Sequence, residues 1–208
     1  MENSEKYLSE IKEIRKMMEE SSRFLSLSGL SGILVGIYAM FGAALTYYLV
    51  YSGNVDSNFF YNPVAPKVAL IAFIVLVLSL ATVIILTIRR VRKAGKKFWN
   101  PGTRLMLINL ALPLVSGGIF IMVLTSDGIY GIVAAACLIF YGLALTTAAK
   151  FTRQEIFYLG IFQIVLGIIA ALLPSLGLLF WALGFGVLHI IYGILMYYRY
   201  EYNKAPKS

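Results

Sequence analysis

Apolar positions along the chain neither alternate with polar ones nor keep to a single helical face; they run together. Six such runs, residues 29–51, 67–88, 103–125, 128–149, 156–173 and 177–198, approach or exceed the ~18–20 residues that cross a hydrocarbon layer of about 30 Å at about 1.5 Å per residue. A backbone in lipid must satisfy its own hydrogen bonds, so each run is expected to be helical. The expected fold is an all-α polytopic membrane helix bundle with six transmembrane helices. Local chemistry marks their ends. Pro66 precedes the second run and Asn100-Pro101 the third, Ser126-Asp127 offers caps for the fourth, and Pro174 separates the fifth from the sixth. Thr152 and Glu155 have the spacing of a reciprocal capping box at the start of the fifth, which gives Glu155 a structural role.

Before the first run the pattern changes. Between residues 4 and 25, Tyr7, Ile11, Ile14, Met18 and Leu25 recur at three- and four-residue steps, interrupted at Ser21. The opposite face is charged and carries the pairs Glu2/Lys6 and Glu19/Arg23 four residues apart. The expected division is an amphipathic cytoplasmic helix over residues 1–27, the transmembrane domain over 28–199 and a cytoplasmic tail over 200–208. Residues 1–25 hold six acids against five bases, whereas an anchor lying on a membrane surface is basic. The helix is therefore expected to meet protein. Three occupants stay open for residues 7–25: the chain's own cytoplasmic loops, a second copy, or another protein, because a seam shorter than three heptads does not separate them.

Composition closes off the other classes. Hydrophobic residues make up 60% and charged residues 13%, the latter about half the usual ~25%. A chain of this size cannot hide so much apolar surface from water, which excludes a soluble enzyme, a disordered chain and a disulfide-rich secreted fold. The lone cysteine, Cys137, sits inside an apolar run and reads as a small hydrophobe. The polar-rich start and long first apolar run predict that no cleavable signal is present.

The net charge of +8 invites a nucleic-acid reading until the charges are placed. Of the 18 Lys and Arg residues, all but Lys67 fall before the first run, between the second and third, between the fourth and fifth, or after the sixth. That alternation sets both termini in the cytoplasm. The densest group, Arg89, Arg90, Arg92, Lys93, Lys96, Lys97 and Arg104, has no acid among it; it joins two membrane helices and suits anionic lipid headgroups rather than nucleic acid. Aromatic residues gather at both ends of the runs, Tyr47, Tyr48 and Trp181 at one and Trp99, Tyr197 and Tyr198 at the other, as interface anchors do.

Two internal shifts suggest repetition. Moving the chain by 131 residues lays Gly29, Ile33, Gly36, Ile37 and Ala39 on Gly160, Ile164, Gly167, Ile168 and Ala170; a shift of 51 lays Tyr141-Gly142 on Tyr192-Gly193. Three tandem helical hairpins are implied. On the first run Ser28, Gly32, Gly36, Ala39 and Ala43 share one face, where small residues let two helices approach closely, either inside the bundle or between copies. The second run contains no glycine between residues 68 and 88 and is expected to face lipid.

No Asp, Glu, Lys or Arg lies in the middle of any run, which argues against an ion-coupled carrier or proton pump. The remaining polar candidates are Asn109, Gln163, His189 and Ser116. The first three lie at similar depth, about 9–15 Å from the cytoplasmic end, and are expected either to converge on a small polar site or to act as interhelical hydrogen-bond glue. Pro113, four residues after Asn109, deprives the Asn109 carbonyl of its helical partner. With one histidine, one cysteine and no glycine-rich dinucleotide motif, no metal and no cofactor is expected.

Gly29-Leu30-Ser31-Gly32 together with His189 resembles the rhomboid intramembrane serine proteases. The serine here opens the first run, whereas that family's serine belongs to its fourth core helix, and Ser31 lies far above His189 in depth. No catalytic residue is carried over. The stretch Ser21-Ser22-Arg23-Phe24-Leu25-Ser26-Leu27-Ser28-Gly29-Leu30-Ser31-Gly32 resembles the entry to the first span in an uncharacterised family of small bacterial multipass membrane proteins. Gly160, Gly167, Pro174 and Gly193 are similarly placed to the hairpin repeat of HdeD-type acid-resistance membrane proteins, from which the charged amino terminus departs. The likeness to the small multipass family implies a bacterial inner membrane, and regulatory or stress-related work would suit these last two resemblances; the expected protein is non-enzymatic or partner-binding, with an intramembrane serine protease as a remote alternative. The alternative expectation is a channel or facilitator for a small neutral solute, lined by Asn109, Gln163, Ser116 and His189.

Overall fold

The computed structural model describes residues 28–52, 64–93, 95 and 98–202, together with Tyr7 and Ile11. All of its regular structure is helical: α1 (Gly29–Ser52), α2 (Val64–Lys93), α3 (Pro101–Ser126), α4 (Val133–Ala148), α5 (Gln154–Leu172), α6 (Gly177–Trp181) and α7 (His189–Tyr200), with a π-helical segment, Ala182–Leu188, joining the last two. Short 3-10 turns, Ala149–Phe151 and Pro174–Leu176, lie on either side of α5. Among the described residues six spans are long and apolar enough to cross a membrane, the sixth being Pro174–Tyr200. The fold is an all-α bundle of multipass membrane type. Residues 1–27 lie outside the described residues except for Tyr7 and Ile11, which are helical and exposed; Lys96, Lys97 and residues 53–63 also lie outside them.

The start of α3 follows its sequence signals. Asn100 caps it, its Oδ1 accepting from Thr103 N at 2.8 Å, and Pro101 occupies the first turn, where a missing N–H costs nothing. Pro113 sits inside α3 without ending it. The Asn109 carbonyl that it leaves without a partner accepts from the Thr147 hydroxyl on α4 at 2.9 Å. A packed neighbouring helix has supplied what the ring of Pro113 took away.

Three expected boundaries differ. Gly128 does not open the fourth span; it ends α3 in the left-handed region, φ 73°. Its N–H donates to the Thr125 carbonyl at 3.2 Å, and Ile129 N donates to Leu124 O at 2.7 Å. This is a Schellman ending, and α4 begins only at Val133. Ser126 and Asp127 accordingly serve the end of α3: the Ser126 hydroxyl turns back to Val123 O, and Asp127 is its C-cap. The Thr152/Glu155 capping box does not form. The N-cap of α5 is Arg153, without a side-chain bond, while Glu155 accepts from Tyr200 and Arg199.

Two close crossings organise the bundle, α1 against α7 and α5 against α4. Neither leaves room for a side chain. A Cβ on Gly193 would lie 2.5 Å from Ile33 N and 2.7 Å from Gly29 O; one on Gly142 would lie 2.6 Å from Gly160 O and 2.9 Å from Ile164 N. One turn further, Gly36 abuts Ile190 N and Gly167 abuts Ile139 N, each at 3.0 Å. Shifted by 131 residues on one partner and 51 on the other, these are the same contacts, so the two internal shifts in the sequence correspond to one helix crossing built twice. Where lipid removes the hydrophobic incentive for helices to associate, such backbone approach maximises dispersion between them. The stripe Ser28, Gly32, Gly36, Ala39 and Ala43 is buried throughout. Gly32 and Gly36 lie on the sixth span, a Gly32 Cβ falling 3.3 Å from His189 O and a Gly36 Cβ 2.6 Å from Gly186 O.

Leu138 and Ala170 lie at the centre of one buried apolar cluster and Leu145 and Ile156 in another, both between α4 and α5. At the periphery, α2 packs mainly on α1 and buries none of its apolar window. Ridges of Leu, Ile and Val on its surface are what a helix bathed in lipid presents.

Candidate functional site

Two polar side chains of the membrane core, those of Gln163 and His189, meet at one backbone atom. Gly184 lies in the π-helical segment, and its carbonyl accepts from Gln163 Nε2 at 2.8 Å and from His189 Nδ1 at 3.0 Å. On the other side of the imidazole, Nε2 lies 2.8 Å from the Tyr141 hydroxyl. A carbonyl can only accept, so Nδ1 carries the hydrogen, and in the neutral ring the Tyr141 hydroxyl donates to Nε2. Gln163 is fully buried, His189 is 4% exposed, and Phe185 stacks against the imidazole at 6.0 Å between centroids. Two of these hydrogen bonds join the fourth and fifth spans to the sixth, and the third lies within the sixth. Gln163 Oε1 has no hydrogen-bond partner and faces Gly184, where a Cβ would come within 2.5 Å of it. The node is packed, with glycine admitting the amide.

Gln163 and His189 are thus brought together, and Asn109 and Ser116 are not. Asn109 Nδ2 donates to Leu105 O at 2.8 Å and Ser116 Oγ to Leu112 O at 2.9 Å, both within α3. Each polar group is satisfied on its own helix, which lets it sit toward lipid at small cost. Depth along a helix was readable from the sequence; direction around the axis was not. Neither serine faces His189. Ser31 is buried and donates to Ser28 O at 2.6 Å, so the Gly-Leu-Ser-Gly string carries no nucleophile–base pair. Among the described residues no group of three or more His, Cys, Asp or Glu side chains is arranged to hold a metal.

A second polar assembly lies at one end of the bundle. Glu201, just past α7, accepts from Gly29 N at 2.6 Å, from Arg90 Nη1 at 2.6 Å and from Ser28 Oγ at 3.4 Å, all on Oε1. The carboxylate satisfies an N–H at the start of α1, where the helix dipole favours negative charge, and neutralises the end of α2. Nearby, Glu155 at the start of α5 accepts from Tyr200 at 2.7 Å and Arg199 at 2.9 Å. The Arg153 guanidinium lies 3.5 Å over the Tyr200 ring. These clasps bring together the start of α1, the end of α2, the start of α5 and the end of α7. Of the cationic side chains expected to meet lipid, Arg89, Arg92 and Lys93 are exposed at the end of α2 and Arg104 at the start of α3, while Arg90 is engaged by Glu201.

The sequence assigns no polar role to Gly184 or Glu201, and marks Tyr141 only as part of the internal repeat. The Gly-Phe-Gly run at residues 184–186 was the available signal for Gly184; Glu201 had none, since it acts on residues more than 100 positions away. No protein-family model, curated protein or solved structure matches this chain.

Proposed function

We propose that this chain is a non-enzymatic integral protein of a bacterial inner membrane, with both termini in the cytoplasm. Its amino-terminal segment and basic loop engage a second copy, a protein partner or anionic lipid in regulatory or stress-related work. The observation that carries the reading is the clasped end of the bundle. There two carboxylates fix the ends of four helices, while Arg89, Arg92 and Lys93 at the end of α2 and Arg104 at the start of α3 remain exposed. Exposed cations beside a membrane interface attract anionic headgroups by about 1 kcal/mol each. The hydrogen-bonded packing at Gly184 favours a structural core over a solute path. In lipid nanodiscs, neutralising Arg89, Arg92, Lys93 and Arg104 to Gln is expected to reduce retained phosphatidylglycerol severalfold, and deleting residues 1–25 to change oligomer size or co-purifying protein. If neither quantity moves, the reading fails.

A further inference from the structure

The segment Ala182–Leu188 is the only π-helix among the described residues, and it stands where the buried hydrogen bonds converge. In this winding each N–H reaches the carbonyl five residues back rather than four. The Gly184 carbonyl takes its two additional donors from Gln163 and His189, and Tyr141 holds the far side of the imidazole. Gly186 is also pinned, a Cβ there falling 2.7 Å from Met40 Cγ on α1. The neighbouring helices therefore grip the π-helical turns themselves. Beyond them, α7 ends in Arg199 and Tyr200, which bind Glu155, and is followed by Glu201, which binds Gly29 and Arg90.

We propose that Ala182–Leu188 is a register switch: a stretch with a second, α-helical register, held in the π form by the Gln163–Gly184–His189–Tyr141 bonds. Rewinding it advances α7 by about one residue, roughly 100° of rotation and about 1.5 Å of rise. Met196, 1% exposed, then leaves the core, and Leu195, 60% exposed, approaches it. Tyr192 arrives where Gly193 now abuts Gly29 and Ile33, so α1 is displaced. The same turn carries Arg199, Tyr200 and Glu201 away from their partners. One element with two packings thus couples an event in the membrane core to the charged end of the bundle.

The test uses spin labels in bilayer-reconstituted protein on a Cys137→Ala background. One pair is Lys93→Cys with Tyr202→Cys, below the π segment; the other is Lys93→Cys with Leu179→Cys, above it. Taking a helix radius of about 5–6 Å with side chains, the rotation moves a surface label by roughly 8 Å. Gln163→Leu, which removes a donor to Gly184, is expected to shift the 93–202 distance by several ångströms, whereas deletion of Leu183 removes the residue by which rewinding would advance α7 and should leave that distance as in the parent. The 93–179 distance should hold. The switch is overturned if both distances stay put in Gln163→Leu, if the deletion moves the 93–202 distance as Gln163→Leu does, or if both distances move together, which reports loosening. It is equally overturned if both variants fail to fold, since the node is then a structural staple.

Discussion

The Thr147 hydroxyl donates to the Asn109 carbonyl across 2.9 Å, and that carbonyl is the one Pro113 leaves without its partner inside α3. The bond makes an unusual prediction, because the defect and its repair lie on different helices. Thr147→Val should destabilise the bundle by about 1–3 kcal/mol, the penalty for a buried acceptor left unpaired. Thr147→Ser should retain most of the stability. Adding Pro113→Ala to Thr147→Val should recover a large part of the loss, since residue 113 then has an N–H to donate to residue 109. Unfolding equilibria of these three variants and of Pro113→Ala alone in mixed micelles check this, and independent, additive effects would remove the explanation.

The two glycine crossings make a paired prediction. Gly193→Ala and Gly142→Ala each put a Cβ within 2.7 Å of a carbonyl on the facing helix, an overpacking expected to cost about 1–3 kcal/mol. Gly118→Ala, at a position with nothing within 4 Å, should be neutral or stabilising by up to about 1 kcal/mol through helix propensity. Thermal unfolding in one detergent ranks them directly, and equal effects at all three sites would contradict the packing argument.

At the clasped end, Glu201→Ala should cost about 1–2 kcal/mol because it removes the acceptor at the start of α1. Arg90→Gln should cost less than about 1 kcal/mol, the partly exposed pair being screened by water. Adding salt should narrow the gap between Arg90→Gln and the parent without rescuing Glu201→Ala. Stability measured at low and high ionic strength separates the two roles of the carboxylate.

Asn100→Ala should destabilise by about 1 kcal/mol through loss of the cap on Thr103 N. Thr152→Ala should not lose a capping box, because Thr152 Oγ1 sits 3.4 Å from Ala148 O instead. Comparing the two by thermal unfolding tests whether the chain entering α5 is held by local capping or by the distant bonds to Glu155.

These residues also mark what can be read from the sequence. The six spans, the cap at Asn100, the orphaned carbonyl above Pro113 and the small-residue face from Ser28 to Ala43 rest on spacing within one helix, and spacing survives folding. Glu155 and Gly128 were misassigned because a nearer rule was available for each. Glu155 is taken by Tyr200 and Arg199 from 44–45 residues away, and Gly128 serves the helix it ends. Gln163 and His189 meet while Asn109 stands aside, because equal depth leaves the angle about each axis undetermined. The π turns add a further break, since they shift that angle inside the sixth span with only a Gly-Phe-Gly run to signal it.

The central claim is a six-span membrane bundle with its cationic end in the cytoplasm. Its most direct test is labelling of single cysteines by an impermeant maleimide, on the Cys137→Ala background, in spheroplasts and after lysis. Asp127→Cys, at the α3–α4 turn, is predicted to react in intact spheroplasts. Lys150→Cys and Tyr202→Cys, at the clasped end, should react only once the membrane is opened. Labelling of Lys150→Cys from outside with Asp127→Cys protected, or recovery of the chain in the soluble fraction, would contradict the account.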